Sequence, residues 1–353
     1  MSRFHFFAFA LLALPLLTGC PPTLSQSANE GYDRKLAEAS RHARAGRYEQ
    51  ASESYAEASR LATRRVDQDE ARYRQARTLM RAMRFEEAVA ILDKIGDRQP
   101  TSRRTSRAVY DAARVRYEYL EQYDQAREGF ERVIRDYPDD GLAHRAIYFL
   151  LLDLKRQGRE EESIAFLEKL YEASGTTTLG DDILMEQAKL YEQRGDKLNE
   201  KRTLAKLVRN HPYPSGHLWD EALLRLADLL VEEGEIEAAI AALERIVAEH
   251  ETTTIIGSYT RTAMPVALYR IGLLYRDEAR DLDRAEQAFD RFPRLFPDST
   301  LADDVLYERG AMWLDAGDAD RGCRHLRTLL DEYPVGRARR AGAARFESEC
   351  SES

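Results

Sequence analysis

The sequence predicts an all-α protein: a right-handed α-α superhelix, or solenoid, of about eight helix hairpins plus a closing C-terminal helix. Three observations predict it. First, Tyr110 to Pro138 reads as two amphipathic helices about a tight turn at Gln122 to Asp124. Tyr110 and Tyr117 lie seven apart on the first, while Ala126, Phe130 and Val133 stand at i, i+4 and i+7 on the second. Second, the unit recurs. The small residue opening the second helix is Ala51, Ala88, Ala126, Ser163, Glu200, Ala239, Ala285 and Gly322, at intervals of 37, 38, 37, 37, 39, 46 and 37. Four residues on stand Tyr55, Leu92, Phe130, Leu167, Leu204, Leu243, Phe289 and Leu326. Third, the punctuation recurs. Pro100, Pro138, Pro212, Pro297 and Pro334 each fall twelve residues after the marker and stop the second helix. Turn signals at Gly46, Gly158, Gly195, Gly234 and Gly317 precede it. One hairpin cannot cover both its apolar faces, so the copies are expected to stack.

The elements follow in chain order. Met1 to Gly19 reads as an export signal: Arg3 supplies the positive start, and Phe6 to Leu17 form a twelve-residue apolar run broken only by Pro15. A bilayer span needs about 20 apolar residues, so the run is too short to cross one. Leu17-Thr18-Gly19-Cys20 resembles the bacterial lipobox, in which a cysteine is lipidated and becomes the mature N-terminus. The alternative is an ordinary signal with an accidental cysteine. Several acyl chains anchor stably, at about 0.8 kcal/mol per buried CH₂. Pro21 rather than aspartate after the cysteine implies, by resemblance to enterobacterial sorting, the outer membrane. Residues 20–31 then form the lipidated cysteine and a flexible tether, and residues 32–350 the solenoid.

The first repeat, Tyr32 to Ala62, carries Lys35 and His42 at core places and reads as a polar end cap. Repeats two and three run from Val66 to Ile95 and Arg103 to Tyr137. Repeat four, Leu142 to Tyr171, holds the most apolar helix of the mature chain, Ile147 to Leu152, and is expected to be buried on both sides. The loop Gly175 to Gly180 is a candidate joint. Repeat five spans Asp181 to His211 and repeat six Leu218 to His250, with Asp220 as a candidate helix start. The β-branched insert at 251–262 resists a helical reading and is either a protruding contact loop or a loop folded back on the solenoid edge. Repeat seven ends at Pro297 and is expected to kink at Pro293. Repeat eight spans Leu301 to Tyr333, and Arg337 to Cys350 is the closing helix.

These residues resemble the tetratricopeptide repeat, whose signature is best matched by Ile271-Gly272, Tyr275, Ala285, Phe289 and Pro297. The period exceeds the usual ~34 residues by about three. With Tyr333-Pro334 and the run Phe296 to Asp304, the chain is similar to bacterial envelope members of the family. These are outer-membrane assembly lipoproteins of the BamD type and Tol-Pal-associated proteins of the YbgF type. Arg114 and Glu200 depart from the pattern at small-residue places, which allows a one-residue offset in repeats three and five. The resemblance implies a concave groove lined by the first helix of each hairpin. The groove-facing place holds Tyr73, Asp111, Tyr148, Met185, Leu224, Tyr269 and Tyr307. Rings with a hydroxyl suit binding surfaces, and neighbouring Arg77, Lys155 and Arg276 add capacity for anions.

Charge and chemistry narrow the function. The net charge is −9, and losing Arg3 with the signal makes it one unit more negative. The total and the export signal together disfavour nucleic acid. The first three repeats are net positive, with Arg72, Arg74, Arg77, Arg81, Arg84, Arg98, Arg103, Arg104 and Arg107. Such an end suits anionic headgroups or an acidic partner, or is simply a set of solvated helix faces. No phosphate loop, zinc motif or nucleophile elbow occurs, and the histidines are scattered. No metal, cofactor or small-molecule substrate is expected. Glu160 to Glu162 and Glu232-Glu233 read as solvated faces, and Trp219 and Trp313 as packing residues. Cys323 and Cys350 remain after Cys20. In an exported chain they suggest a disulfide, with two free buried thiols as the alternative. The reading is a non-catalytic, lipid-anchored scaffold at the outer membrane, facing the periplasm. It would bind envelope proteins or peptide segments, with a place in outer-membrane protein assembly. The alternatives are a coordinator of peptidoglycan remodelling or of pilus or secretin assembly, and a cell-wall enzyme.

Overall fold

The computed structural model describes residues 29–99, 101–248 and 263–350. The signal, Cys20, most of the tether, Pro100 and the insert at 251–262 lie outside them. Among the described residues there are seventeen α-helices, one 3-10 turn and no strand, and no helix is long and apolar enough to cross a membrane. Two compact units are distinguished, one ending at Gln122 and the other starting at Tyr123. The division falls between the two helices of the third hairpin.

The first unit contains α1 (Glu30–Arg44), α2 (Tyr48–Leu61), α3 (Arg65–Arg81), α4 (Phe85–Gly96) and α5 (Thr105–Glu118), each packed on the next. The second opens with α6 (Tyr123–Asp136), α7 (Gly141–Arg156), α8 (Ser163–Ser174) and α9 (Gly180–Gln193). It continues with α10 (Lys197–Asn210), α11 (Trp219–Glu232), α12 (Ile236–Ala248), α13 (Ala263–Asp277) and α14 (Leu282–Leu295). It closes with α15 (Ala302–Asp315), α16 (Ala319–Glu332) and α17 (Arg339–Glu349). From α8 onward each helix packs on its successor, and α7 also meets α9, α11 meets α13, and α15 meets α17. Contact with the next helix and the next but one is the pattern of stacked hairpins.

The register holds at every repeat. All eight marker residues are buried, and so are all eight residues four places on. Each hairpin turns through one residue in the left-handed region, five places before its marker. Five of these are the anticipated glycines, with φ from 70° at Gly195 to 81° at Gly317. The other three are Met83, Glu121 and Arg280, at φ 59°, 55° and 57°. The residue after the turn donates its N–H back to the end of the first helix, as from Arg84 to the Leu79 carbonyl at 2.9 Å. This satisfies a carbonyl that the helix end leaves open. In three hairpins that same residue is an aspartate, Asp196, Asp281 or Asp318, whose side chain caps the second helix.

The individual expectations have mixed outcomes. Glu200 causes no offset: it is 2% exposed, and its carboxylate takes Arg225 Nε at 2.6 Å. The apolar helix of repeat four is buried on one face only, because Tyr148 is 58% exposed. α14 extends to Leu295 with Pro293 inside it, at the place where the kink is expected. Asp220 lies in the first turn of α11, after an N-cap at Leu218. The loop at Gly175 to Gly180 is tied to Asp139, which accepts from the Thr178 hydroxyl at 2.9 Å. Gly272 and Phe289, two residues of the signature, abut each other: a Cβ on Gly272 would stand 2.2 Å from the ring. Cys323 and Cys350 form a disulfide joining α16 to the end of α17, with Cα atoms 5.6 Å apart, and the bridge sits in a small core with Leu326, Leu329 and Ala338.

Candidate functional site

Helical spacing builds a cavity in the first unit. On α3, Glu70, Tyr73, Arg74, Arg77, Thr78 and Arg81 recur every three or four residues and share one face. On α1, Ser40, Ala43 and Arg44 do the same. Together with Tyr55 of α2 and with Arg104 they line a cavity of about 450 Å³. Its floor is fixed by polar contacts. The Tyr55 and Ser40 hydroxyls lie 3.2 Å apart, and the Tyr73 hydroxyl donates to Asp111 at 2.7 Å. Asp111 holds the same place one repeat on, so two of the anticipated groove residues bond across adjacent repeats. Burial, reinforced by the Asp111 charge, pushes the Tyr73 phenol up to about 12, which keeps it a donor.

Glu70 is 6% exposed and is the acidic group of the cavity wall. It accepts from Arg74 Nε at 2.8 Å and Arg104 Nε at 2.5 Å, with Arg103 at 3.7 Å. Burial alone would raise its carboxyl, but the hydrogen bonds from Arg104 and Arg74 outweigh it and hold the group ionised. Arg104 also lies over the Tyr73 ring, 4.7 Å from the centroid. The arginine run that reads in sequence as one basic surface is therefore divided. Arg98 binds Asp69 at 2.5 Å, Arg84 binds Glu87, and Arg74, Arg103 and Arg104 bind Glu70.

The other groove residues lie in the second unit. Tyr148 is exposed and meets Phe149 edge-on. Lys155, on the same helix, reaches Glu160 at 3.7 Å. Tyr269 donates to Glu308 at 3.3 Å, and Arg276 binds the same carboxylate as well as Asp277 at 2.6 Å. The charge of Arg276 is thus already met by two acids, which raise its pKa. Tyr307 is half-buried against the core around the disulfide. A second cavity of about 830 Å³ lies beside Tyr171, Lys206 and His211, where Asn210 donates to the Tyr171 hydroxyl at 3.0 Å.

An arrangement that the sequence reading missed recurs within the first two turns of α3, α9 and α15. Each carries an acidic pair: Asp69-Glu70, Asp181-Asp182 and Asp303-Asp304. The first member is buried each time, and each pair receives the approach to a following repeat. Asp181 accepts the main-chain N–H of His217 at 2.8 Å and of Leu218 at 3.2 Å. Asp303 accepts that of Ala338 at 2.8 Å, while Asp304 binds Arg337. Two of the histidines converge here, with His144 Nδ1 2.7 Å and His217 Nε2 3.4 Å from Asp182. Asp181, Asp182 and His217 could offer a metal one atom each within 4.8 Å. The main-chain donors already occupy Asp181, and Asp303-Asp304 makes the corresponding bonds with an arginine. The geometry is that of a clasp between repeats. The spacing of 19 and 18 residues before the marker points to it, though Asp220-Glu221 on α11 shares that spacing without a buried first member.

Comparison with known proteins comes last. A family model described as tetratricopeptide repeat matches residues 36–103 and 224–300, and a second of the same description matches residues 107–140. Together they span about half of the chain. No curated protein matches. Among solved structures, the C-terminal part of a TPR repeat-containing protein from Cytophaga hutchinsonii is 13% identical. It covers 76% of this chain and 98% of its own, with a TM-score of 0.46. A tetratricopeptide repeat protein from Parabacteroides merdae is 15% identical, covering 78% of this chain and 97% of its own at a TM-score of 0.35. YrrB, described as a TPR protein with an unusual peptide-binding site, is 17% identical, covering 59% and 94% at 0.37.

Proposed function

The chain belongs to the tetratricopeptide-repeat family, and on that premise we propose that it is a non-catalytic scaffold holding partner proteins or peptide segments. We place it in the periplasm, tethered to the outer membrane by lipid on Cys20, with a part in outer-membrane protein assembly. The observation that carries the scaffold reading is the cavity on α1 and α3, a polar recess on the first helices of two adjacent hairpins. Recesses of this kind bind chain segments through rings and charges. The spacing of Leu17 to Cys20 after the apolar run supports the anchor. The Cys323–Cys350 bridge supports export, since disulfides persist in oxidising compartments.

Intact-mass measurement on membrane-extracted protein tests the anchor: the expected species starts at Cys20 and carries acyl chains. A soluble species with Cys20 free removes the localisation. Affinity isolation from solubilised envelopes tests the role. Co-isolated barrel-assembly components support it, whereas wall synthases or secretins favour a coordinator of peptidoglycan remodelling or of pilus or secretin assembly. Hydrolysis of purified peptidoglycan by the isolated protein would instead identify a cell-wall enzyme.

A further inference from the structure

We propose that the clasp on α9 binds one divalent transition-metal ion of the zinc class through His144, Asp182 and His217. The basis is a difference among the three clasps. In the other two, the approach to a following helix supplies a guanidinium to the second acid of the pair: Arg104 to Glu70 and Arg337 to Asp304. At the corresponding place Asp182 meets no arginine or lysine among the described residues. It meets two imidazoles, with His144 Nδ1 at 2.7 Å and His217 Nε2 at 3.4 Å. Imidazole is the commonest metal ligand among side chains. The cation that the other clasps carry in their own chain is here one that histidines hold.

The geometry suits such an ion. Zinc takes nitrogen and oxygen ligands at about 2.0–2.2 Å, which sets the ligand atoms of a tetrahedral site about 3.3 Å apart. Both imidazole nitrogens stand near that distance from Asp182 Oδ1. Asp181 acts behind the site: its Oδ2 lies 3.0 Å from His217 Nδ1 and also accepts the His217 main-chain N–H. A neutral imidazole has one ring N–H. With that proton on Nδ1, facing Asp181, the Nε2 lone pair is left on the side of the Asp182 carboxylate, and a cation between them replaces repulsion with two bonds. A carboxylate that fixes the tautomer in this way is the usual support of a metal-bound histidine. Asp181 is 2% exposed, whereas the His144 and His217 side chains are 41% and 57% exposed, which leaves an ion a way in. Two nitrogens and one oxygen select against calcium and magnesium, which take oxygen ligands. The ligands come from α7, α9 and the approach to α11, about one repeat apart each time. That is why they look scattered in the sequence, and why one ion would join three successive repeats.

Equilibrium dialysis of the untagged full chain, stripped with a chelator, against zinc alone at neutral pH tests this, with bound metal read by mass spectrometry. Saturation at one equivalent is expected, together with a Tm that rises as zinc is added. His144→Ala and His217→Ala should each weaken binding at least about tenfold, while His42→Ala, in the first unit, should bind as wild type does. His217→Arg supplies the guanidinium that Arg337 gives the last clasp. It should fold, lose the zinc site and melt at a temperature that zinc no longer changes, which keeps the test open if His217→Ala folds poorly. Calcium alone should not bind. Weak uptake at several equivalents, the same in wild type and in the histidine variants, marks an adventitious ion only and overturns the proposal. So does full affinity in the folded His217→Arg chain, or calcium bound as tightly as zinc. No uptake at all overturns it too, and leaves protons on the histidines to answer Asp182.

Discussion

At the residue scale, Glu200 shows what a sequence pattern can and cannot decide. A carboxylate where seven other repeats have a small residue reads as a slip of register. The structure keeps the register because Arg225, from the next hairpin, reaches back to the buried acid at 2.6 Å. Nothing local announces that partner, which lies 25 residues away. Glu286 is a second case. It accepts from Arg309, itself 9% exposed, and from Trp313 Nε1 at 3.1 Å, with His325 Nε2 at 3.4 Å. Burial would raise its carboxyl, but the bonds from His325 and Arg309 more than offset this and hold it far below the usual carboxylate range. A carboxyl lowered on folding adds stability above its unfolded value of 4.5, and that stability is lost as pH falls toward the folded value. Glu286→Gln is therefore expected to cost about 2 kcal/mol at pH 7, the worth of a charged hydrogen-bond set. The gap in Tm from wild type should begin to narrow as pH falls below about 4.5 and keep narrowing to the lowest pH at which the fold survives. A gap that stays constant over that range contradicts the assignment.

At the scale of elements, the eight hairpin turns share one backbone solution. The glycines made five of them legible in the sequence. Met83, Glu121 and Arg280 were not, since their side chains carry no turn signal and only the distance to the marker locates them. A left-handed conformation costs a residue with a Cβ about 1–2 kcal/mol, part of which glycine gives back as extra freedom when unfolded. Met83→Gly is expected to raise stability by about 0.5–1 kcal/mol, read from a denaturant midpoint, because Met83 is 76% exposed and surrenders no packing. The clasps lead to a different expectation. His144 has its pKa raised by its bond to Asp182, so its contribution is complete below the unfolded value of 6.5 and is lost as pH rises through the folded value. Between pH 5.5 and 8.5 wild type should lose a little stability, within about 1 kcal/mol because the His144 side of the pair is open to solvent, and His144→Ala should flatten that slope in a pH series of thermal melts. The closing helix depends on covalent chemistry. Its disulfide spans 27 residues, and loops of that size stabilise by roughly 3–4 kcal/mol. Reductant or the C323S/C350S double change is expected to lower the first unfolding transition, and alkylation mass spectrometry without reductant should find both thiols blocked.

At the scale of the whole molecule, the repeat number, order and register could be read from spacing alone, because a hairpin array satisfies its core with local rules. The acidic pairs escaped that reading. They work between repeats, where the relevant partner sits roughly one period away and carries no pattern of its own. The groove was legible only in part. Tyr73 and Arg77 fall where expected, in a shaped recess, but Arg276 arrives with its charge answered by Glu308 and Asp277. Whether a cation is available to a partner depends on carboxylates that spacing does not reveal. The clasps also have a direction. Asp181 and Asp303 each hold the main chain of a segment that lies C-terminal to them, at His217 and Ala338. A gene that shortens or lengthens by recombination between repeats must therefore keep each acid together with the segment it grips. A stop codon placed at the natural-looking boundary after Tyr333 would leave Asp303 enclosed without the amide that it holds. One placed beyond Ala338 would keep that bond, which makes Ala338 rather than Pro334 the working end of the eighth repeat.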